Sequence, residues 1–198
     1  MKRIIFLLVF VFIMVGCVQE KKPLLGETDF QRDLNAYFKD ATTSPLKDKD
    51  RKNFESLEFF KFDPTFVVEA RLVVTPDEIP FKMKTSTGRL PVYKKYGELE
   101  FELKGETFKL NIYQNLELEE EEDYLFLPFL DNTNGDTSYG GGRYIETKIP
   151  DGDILVLDFN IAFSPYCAYN EKYSCPIVPR ENYLPIEIKA GVKAFGKY

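Results

Sequence analysis

Glu98-Leu99-Glu100-Phe101-Glu102-Leu103-Lys104-Gly105-Glu106-Thr107-Phe108-Lys109-Leu110-Asn111-Ile112-Tyr113 is the stretch that decides the fold. Apolar and polar residues alternate on both sides of Lys104-Gly105, the period of a strand with one buried face. A two-residue turn there sets the register: Leu103 opposite Glu106, Phe101 opposite Phe108, Leu99 opposite Leu110. Two matched apolar pairs then share a face, while Glu98, Glu100, Glu102, Lys109 and Asn111 share the wet one.

The same period extends in both directions. Phe66–Val74, Phe81–Lys84 and Leu90–Tyr93 read as strands upstream, and Tyr124–Phe129 and Pro185–Ala190 downstream. Ile145–Ile149 and Ile154–Phe159 read as a second hairpin across Pro150-Asp151-Gly152-Asp153, and the acidic run Leu116–Asp123 as a solvated loop or strand edge. The clearest helix is Thr28–Asp40, with Thr28 and Gln31 as a capping box and Phe30, Leu34, Tyr37 and Phe38 on one face that docks on the sheet. Ser44-Pro45-Leu46 opens a second short segment, one helical turn, ending near Asn53. Eight or nine strands, one good helix, no βαβ alternation and no repeat make the chain mainly β. The expected architecture is an antiparallel sandwich or a partly open barrel with one N-terminal helix packed on it.

The N-terminus carries a different message. Lys2 and Arg3 precede an uncharged apolar run, Ile4–Val15, ending in Met14-Val15-Gly16-Cys17. A helix needs about 20 apolar residues to cross a bilayer, so this run is too short to span and suits a signal-peptide core. Its end looks like a lipobox, with Met14 where Leu is usual. The expected organisation is a lipoprotein signal peptide at 1–16, lipidated Cys17 and a polar tether over 17–27, and a single mainly-β domain at 28–198. The protein is thereby expected in the cell envelope, held to a membrane through its N-terminal lipid. Val18, where an Asp would favour inner-membrane retention, tilts the expectation to the outer membrane.

Composition excludes several functions. Removing residues 1–16 takes away two cations and no acids, and moves the formal net charge from −6 to −8. Such a chain lacks the electrostatic footprint of a nucleic-acid binder. There is no histidine, which removes Ser-His-Asp triads, Cys-His dyads and His-based zinc sites. There is no tryptophan, so any sugar platform must be Tyr or Phe. No pattern asks for a cofactor or a metal: the Asp131, Thr133, Gly135, Asp136 run misses the spacing of a calcium loop and reads as an Asx-rich turn.

Two stretches break the rhythm of strand and tight turn. One is Asp131–Tyr139 with Gly140-Gly141-Gly142-Arg143-Tyr144; the other runs from Asp158-Phe159-Asn160 through Ser164–Asn170 and Tyr173-Ser174-Cys175-Pro176 to Asn182. With Ser44-Pro45-Leu46, Thr85-Ser86, Tyr96-Gly97 and Ala190-Gly191, these motifs resemble the bacterial and archaeal family named only as domain of unknown function 1684 (DUF1684). The resemblance covers nearly all of the chain beyond the leader, and it implies a family without an activity. Val192 stands where that pattern tends to have Glu.

Read as chemistry, the glycines let backbone N–H groups approach a ligand, and Arg143 can grip a carboxylate or phosphate in bidentate fashion. The candidate ligand-binding residues are Arg143, Asp158, Asn160, Tyr169, Tyr139, Gly141 and Asp131, for a small anion or a carbohydrate. The competing reading pairs Arg143 with Asp131 or Asp158 as a buried structural ion pair. A binding module, a hydrolase or lyase using Asp158 or Asp131 as base with Arg143, and a structural envelope protein therefore all stay open. Burial separates them, because a site needs Arg143 and a carboxylate at an open concave surface. Cys167 and Cys175 are expected to form a disulfide that stabilises by about 2–3 kcal/mol, the alternative being buried free thiols. A catalytic cysteine would need a neighbour that lowers its pKa, and no histidine can serve.

Overall fold

A computed structural model describes residues 25–118 and 123–196. The expected leader, Cys17 and most of the tether lie outside the described residues. Among the described residues no helix is long and apolar enough to cross a membrane.

Helix α1 (Asp29–Lys39) and the single turn α2 (Asp48–Arg51) precede β1 (Val67–Val74), β2 (Phe81–Lys82), β3 (Val92–Leu103), β4 (Glu106–Asn115), β5 (Tyr124–Asp131), β6 (Arg143–Lys148), β7 (Ile154–Asp158) and β8 (Tyr183–Leu184). The main path of the sheet runs β6-β5-β4-β3-β1-β7, with β2 added to β3 and β8 lying parallel to β5. This is the half-barrel form of the expected mainly-β fold. Its curvature wraps one core that includes Leu99, Phe101, Leu110, Leu127, Phe129 and Phe159.

The β3–β4 hairpin has the register read from its pattern, with Leu103 opposite Glu106, Phe101 opposite Phe108 and Leu99 opposite Leu110. Lys104 (φ 54°) and Gly105 (φ 80°) both take the left-handed conformation, which a two-residue turn between twisted strands requires. On the wet face Lys109 bridges Glu98 and Glu100 at 2.8 and 2.5 Å. Leu90–Tyr93 is not a separate strand. From Val92 the chain runs on through a bulge at Lys95/Gly97 into the hairpin, and a Cβ at Gly97 would stand 2.7 Å from Val73 O. The bulge re-phases the alternation, so the pattern on either side looks like two strands.

Two expected pairings are corrected. Ile145–Ile149 and Ile154–Phe159 do not form a hairpin: β6 pairs with β5 and β7 with β1, at opposite ends of the path. The link between them is longer than a register-setting turn, so each strand takes a different partner. The segment that follows β7 returns to β6 through one bridge, Tyr144 with Phe163, with N···O distances of 2.9 and 3.0 Å. Pro185–Ala190 is not a strand either. Its alternation is real, since Ile188 and Ala190 are buried, but side chains occupy the place of a neighbouring strand.

Those side chains are Arg143 and Asp131, each with a side chain 0% exposed and 2.8 Å apart. The Arg143 Nη2 donates to Asp131 Oδ2 and, at 2.7 Å, to Ile188 O, while Nη1 donates to Ala190 O. Asp131 Oδ1 accepts the backbone N–H of Ile188 at 3.2 Å and of Thr133 at 2.8 Å. The guanidinium lies over Phe129, 5.3 Å from the ring centre. Burial works against the Arg143 charge and lowers its pKa, and the Asp131 carboxylate offsets only part of that. The C-terminal segment is thus clamped to the end of β5. Gly191 (φ 77°) then turns the chain so tightly that a Cβ would land on Ala162 O.

Three substitutions test this packing. Arg143→Met strands the Asp131 carboxylate in the core and should cost about 3–5 kcal/mol in urea unfolding followed by far-UV circular dichroism, with part recovered on adding Asp131→Asn. Gly191→Ala should lose more than the roughly 1–3 kcal/mol of an unfavourable φ alone, because the methyl meets backbone. Gly105→Asn, whose position has nothing within 4 Å, should stay within about 1 kcal/mol.

Candidate functional site

The residues expected to form a ligand site do not converge. Arg143 and Asp131 hold each other inside the fold, so neither meets solvent, and the Arg-carboxylate anion grip is corrected to a structural clamp. Asp158 and Asn160 sit at the end of β7 as a clip. Asp158 Oδ1 accepts the Asn160 N–H at 2.8 Å, and Asn160 exchanges two 3.0 Å hydrogen bonds with the backbone of Asp63. Tyr169 packs edge-on against Phe38, 4.7 Å between ring centres, in the cluster that seats α1. Val192 is buried in that cluster too.

The glycine run serves packing. Gly142 (φ 91°) approaches β5 so closely that a Cβ would stand 2.7 Å from Phe129 O, and Gly141 lies beneath the Tyr139 ring. The Asp131–Ser138 loop closes on itself. Asn134 Oδ1 accepts the Asp131 N–H at 2.7 Å, and the Thr133 and Ser138 hydroxyls share a 2.7 Å bond. Asx chemistry accounts for those letters. Among the described residues no group of three His, Cys, Asp or Glu is placed to hold a metal.

The open concave surface lies elsewhere, between α1 and the β5–β6 end of the sheet. It is a cleft of about 520 Å³, within the ordinary range of small-molecule sites. Helix α1 explains its existence. Thr28 caps the helix by accepting the Gln31 N–H, while Gln31 Oε1 reaches back to the Glu27 N–H, one residue before a standard capping box. The stripe that α1 buries is Gln31, Asn35 and Phe38. Asn35 anchors it by accepting the Leu57 N–H at 2.7 Å and donating to Leu25 O at 2.6 Å. That rotation turns Phe30, Leu34 and Tyr37 away from full burial and into the cleft, beside Asp33.

Opposite them stand Tyr124, Phe126, Tyr144 and Glu146 from the sheet. Tyr124 donates to Glu146 at 2.8 Å. Tyr166 stacks on Tyr37 at 14° between ring planes, and its hydroxyl donates to the Tyr37 hydroxyl at 3.0 Å. The Ser164 hydroxyl lines the cleft and is buried without a hydrogen-bond partner. Burial pushes the Tyr144 and Tyr166 phenols well above the usual tyrosine range, so both stay neutral. Two carboxylates, several neutral phenols and broad aromatic faces therefore share one opening. The pattern had marked the Ser164–Asn170 and Tyr173–Pro176 stretches as unusual, but it put the helix face on the sheet.

One wall contains Cys175. It is a free thiol, as is Cys167, so the expected disulfide is not formed here. Cys175 Sγ accepts the Cys167 N–H at 3.0 Å, and the Cys175 N–H donates to Ser86 Oγ at 3.1 Å. The Cys167 thiol is half-buried, with the Cys175 thiol, the Ser86 hydroxyl and the Tyr139 hydroxyl beside it. In that order they pull it down to about 6. Cys175 is driven the other way, first by its hydrogen bond to Cys167 and then by burial. The neighbour that lowers the thiol is therefore not a histidine but the second thiol with two hydroxyls.

A match to the family described as "Protein of unknown function (DUF1684)" covers residues 52–193. The solution NMR structure of the uncharacterized protein from gene locus rrnAC0354 of Haloarcula marismortui is similar over 85% of this chain and 92% of its own, with 34% identity and a TM-score of 0.68. No curated protein matches the chain. The half-barrel, the clamp and the cleft are thus features of a chain that belongs to the DUF1684 family, whose function is unknown.

Proposed function

We propose that the protein is a binding module for a small polyhydroxylated ligand, a carbohydrate, held in the α1–sheet cleft. The observation that carries this is the aromatic face of α1, which a purely structural helix would bury and which here lines an opening with Asp33 and Glu146. Carboxylates accept hydrogen bonds from ligand hydroxyls, neutral phenols donate and accept, and aromatic faces pack on the C–H face of a sugar ring. The two acids oppose an anionic ligand, so the carbohydrate half of the original expectation is the one supported. Tyr37 and Tyr166 serve as the stacking platform, in place of the missing tryptophan.

Titration of neutral mono- to tetrasaccharides should perturb the NMR signals of cleft residues. Tyr37→Ala should weaken binding about tenfold, since an aromatic contact is worth about 0.5–1.5 kcal/mol. Tyr37 is 37% exposed and stacks on Tyr166, so the fold of the variant is checked by far-UV circular dichroism alongside the titration. Binding unaffected by Tyr37→Ala, or absent across the panel, would rule the reading out.

The module works from a membrane surface, tethered by lipid at Cys17. The support is the charged start, the short apolar run and the Cys17 ending of the leader. In cells the wild-type chain should lose its leader and fractionate with membranes, whereas Cys17→Ser should accumulate as unprocessed precursor. Identical processing of both chains would refute the tether.

A further inference from the structure

The geometry points to Cys167 and Cys175 as a thiol–disulfide exchange site, with Cys167 as the attacking sulfur, Cys175 as the resolving sulfur, and a small-molecule or peptide disulfide as substrate. This inference stands apart from the carbohydrate reading, because it rests on the thiol pair and its donors alone.

Position assigns the roles. Cys167 is half-buried and reachable, while Cys175 is buried and forms part of the cleft wall. The two sulfurs are already neighbours, since Cys175 Sγ accepts the Cys167 backbone N–H and its thiol hydrogen-bonds the Cys167 sulfur. A pair whose only task was to close a loop has no use for donors around a reduced sulfur. Here the Ser86 and Tyr139 hydroxyls lie beside Cys167, the Ser86 oxygen also accepting the Cys175 N–H and donating to Tyr173 O, and both come from segments far from residue 167 in sequence. Gly141 leaves the space that the Tyr139 ring occupies. The titratable groups facing the pair are Tyr139 and Tyr144, both neutral phenols. The thiolate is therefore held by hydrogen bonds rather than by a cation. Stabilising the reduced form makes the corresponding disulfide easier to reduce, which is the mark of an exchanging pair rather than a staple.

The chemistry balances with a disulfide R–S–S–R′ as oxidant. The Cys167 thiolate attacks one sulfur, a Cys167–S–S–R bond forms, and R′S⁻ leaves to take a proton from solvent. Loss of the Cys167 negative charge removes the interaction that held the proton on Cys175. Cys175 then gives up its proton, attacks the Cys167 sulfur, and expels RS⁻, which is protonated in turn. Two electrons and two protons pass to the substrate, two thiols are released, and the protein is left with a Cys167–Cys175 bond that an external dithiol can reduce.

The test uses the full chain in detergent, oxidised glutathione as probe, and mass spectrometry of alkylated peptides, which separates Cys17 from the other two. Wild type should form the internal disulfide with release of two glutathione molecules, and reduced glutathione should reverse it. Cys175→Ser should stop at a Cys167–glutathione adduct. Alkylation of Cys167 in the wild type should titrate near pH 6 and rise with pH, because the thiolate is the nucleophile. Tyr139→Phe with Ser86→Ala should move that midpoint up by a unit or more. An adduct appearing first on Cys175, an internal disulfide that resists reduced glutathione, or Cys167 titrating as an ordinary thiol would each overturn the assignment.

Discussion

The ion pair between Arg143 and Asp131 is the constraint on which the architecture turns. A buried guanidinium must have its hydrogens accepted, and a buried carboxylate must be opposed. Arg143 meets this at its two terminal nitrogens by donating to the carbonyls of Ile188 and Ala190, its Nε staying without a partner, and Asp131 accepts the Ile188 N–H. Two side chains on β5 and β6 thereby do what a ninth strand would do for the C-terminal segment. The half-barrel can stay open because its backbone groups are met in this way. Hydrophobic residues of similar size could fill the same volume, but they could not fix where residues 186–191 lie along β5.

The second organising choice is the rotation of α1. Helix amphipathicity ordinarily means that the apolar stripe is hidden. Here Asn35 and Gln31 occupy the seat, because their amide groups satisfy backbone atoms of Leu25, Glu27 and Leu57. Phe38 anchors the helix against Phe54 and Tyr169. What is left of the apolar stripe becomes the wall of an opening. Polar anchoring thus frees aromatic surface for a ligand, and the sheet side supplies the matching phenols and acids.

How much of this could be read from the letters follows from which interactions are local. The β3–β4 hairpin was legible to the residue because alternation and a two-residue turn leave one register. The helix start was legible from Thr28. The β6–β7 pairing was misread because adjacency in sequence was the only guide, and the choice of partner is made by the whole sheet. Pro185–Ala190 was misread for a more instructive reason: burial alternates there, but beyond the Ile186 carbonyl, which the Asn132 N–H reaches, the partners of Ile188 and Ala190 are side chains over 40 positions away. The loops around Arg143 and Cys167 do break the rhythm of strand and tight turn, but the first of them closes the fold rather than opening a site. Whether Arg143 faces solvent or core is a question of depth, which composition cannot encode. The cleft itself escaped notice because it depends on which side of α1 is turned inward.

The closing of the fold by residues 188–194 bears on the order in which the domain can be made. Arg143 finds its acceptors at positions 188 and 190, and Val192 completes the cluster that seats α1 from the opposite end of the chain. Lys193 and Ala194 also donate to Glu58 O and Thr137 O. A ribosome that has released the first 180 residues has delivered all the strands but β8, and still leaves a bare guanidinium and an unseated helix. Domains otherwise tend to fold as their N-terminal parts emerge, during seconds of synthesis. This fold withholds its final stability until residues 188–194 have emerged, and a shorter nascent chain stays incompletely packed.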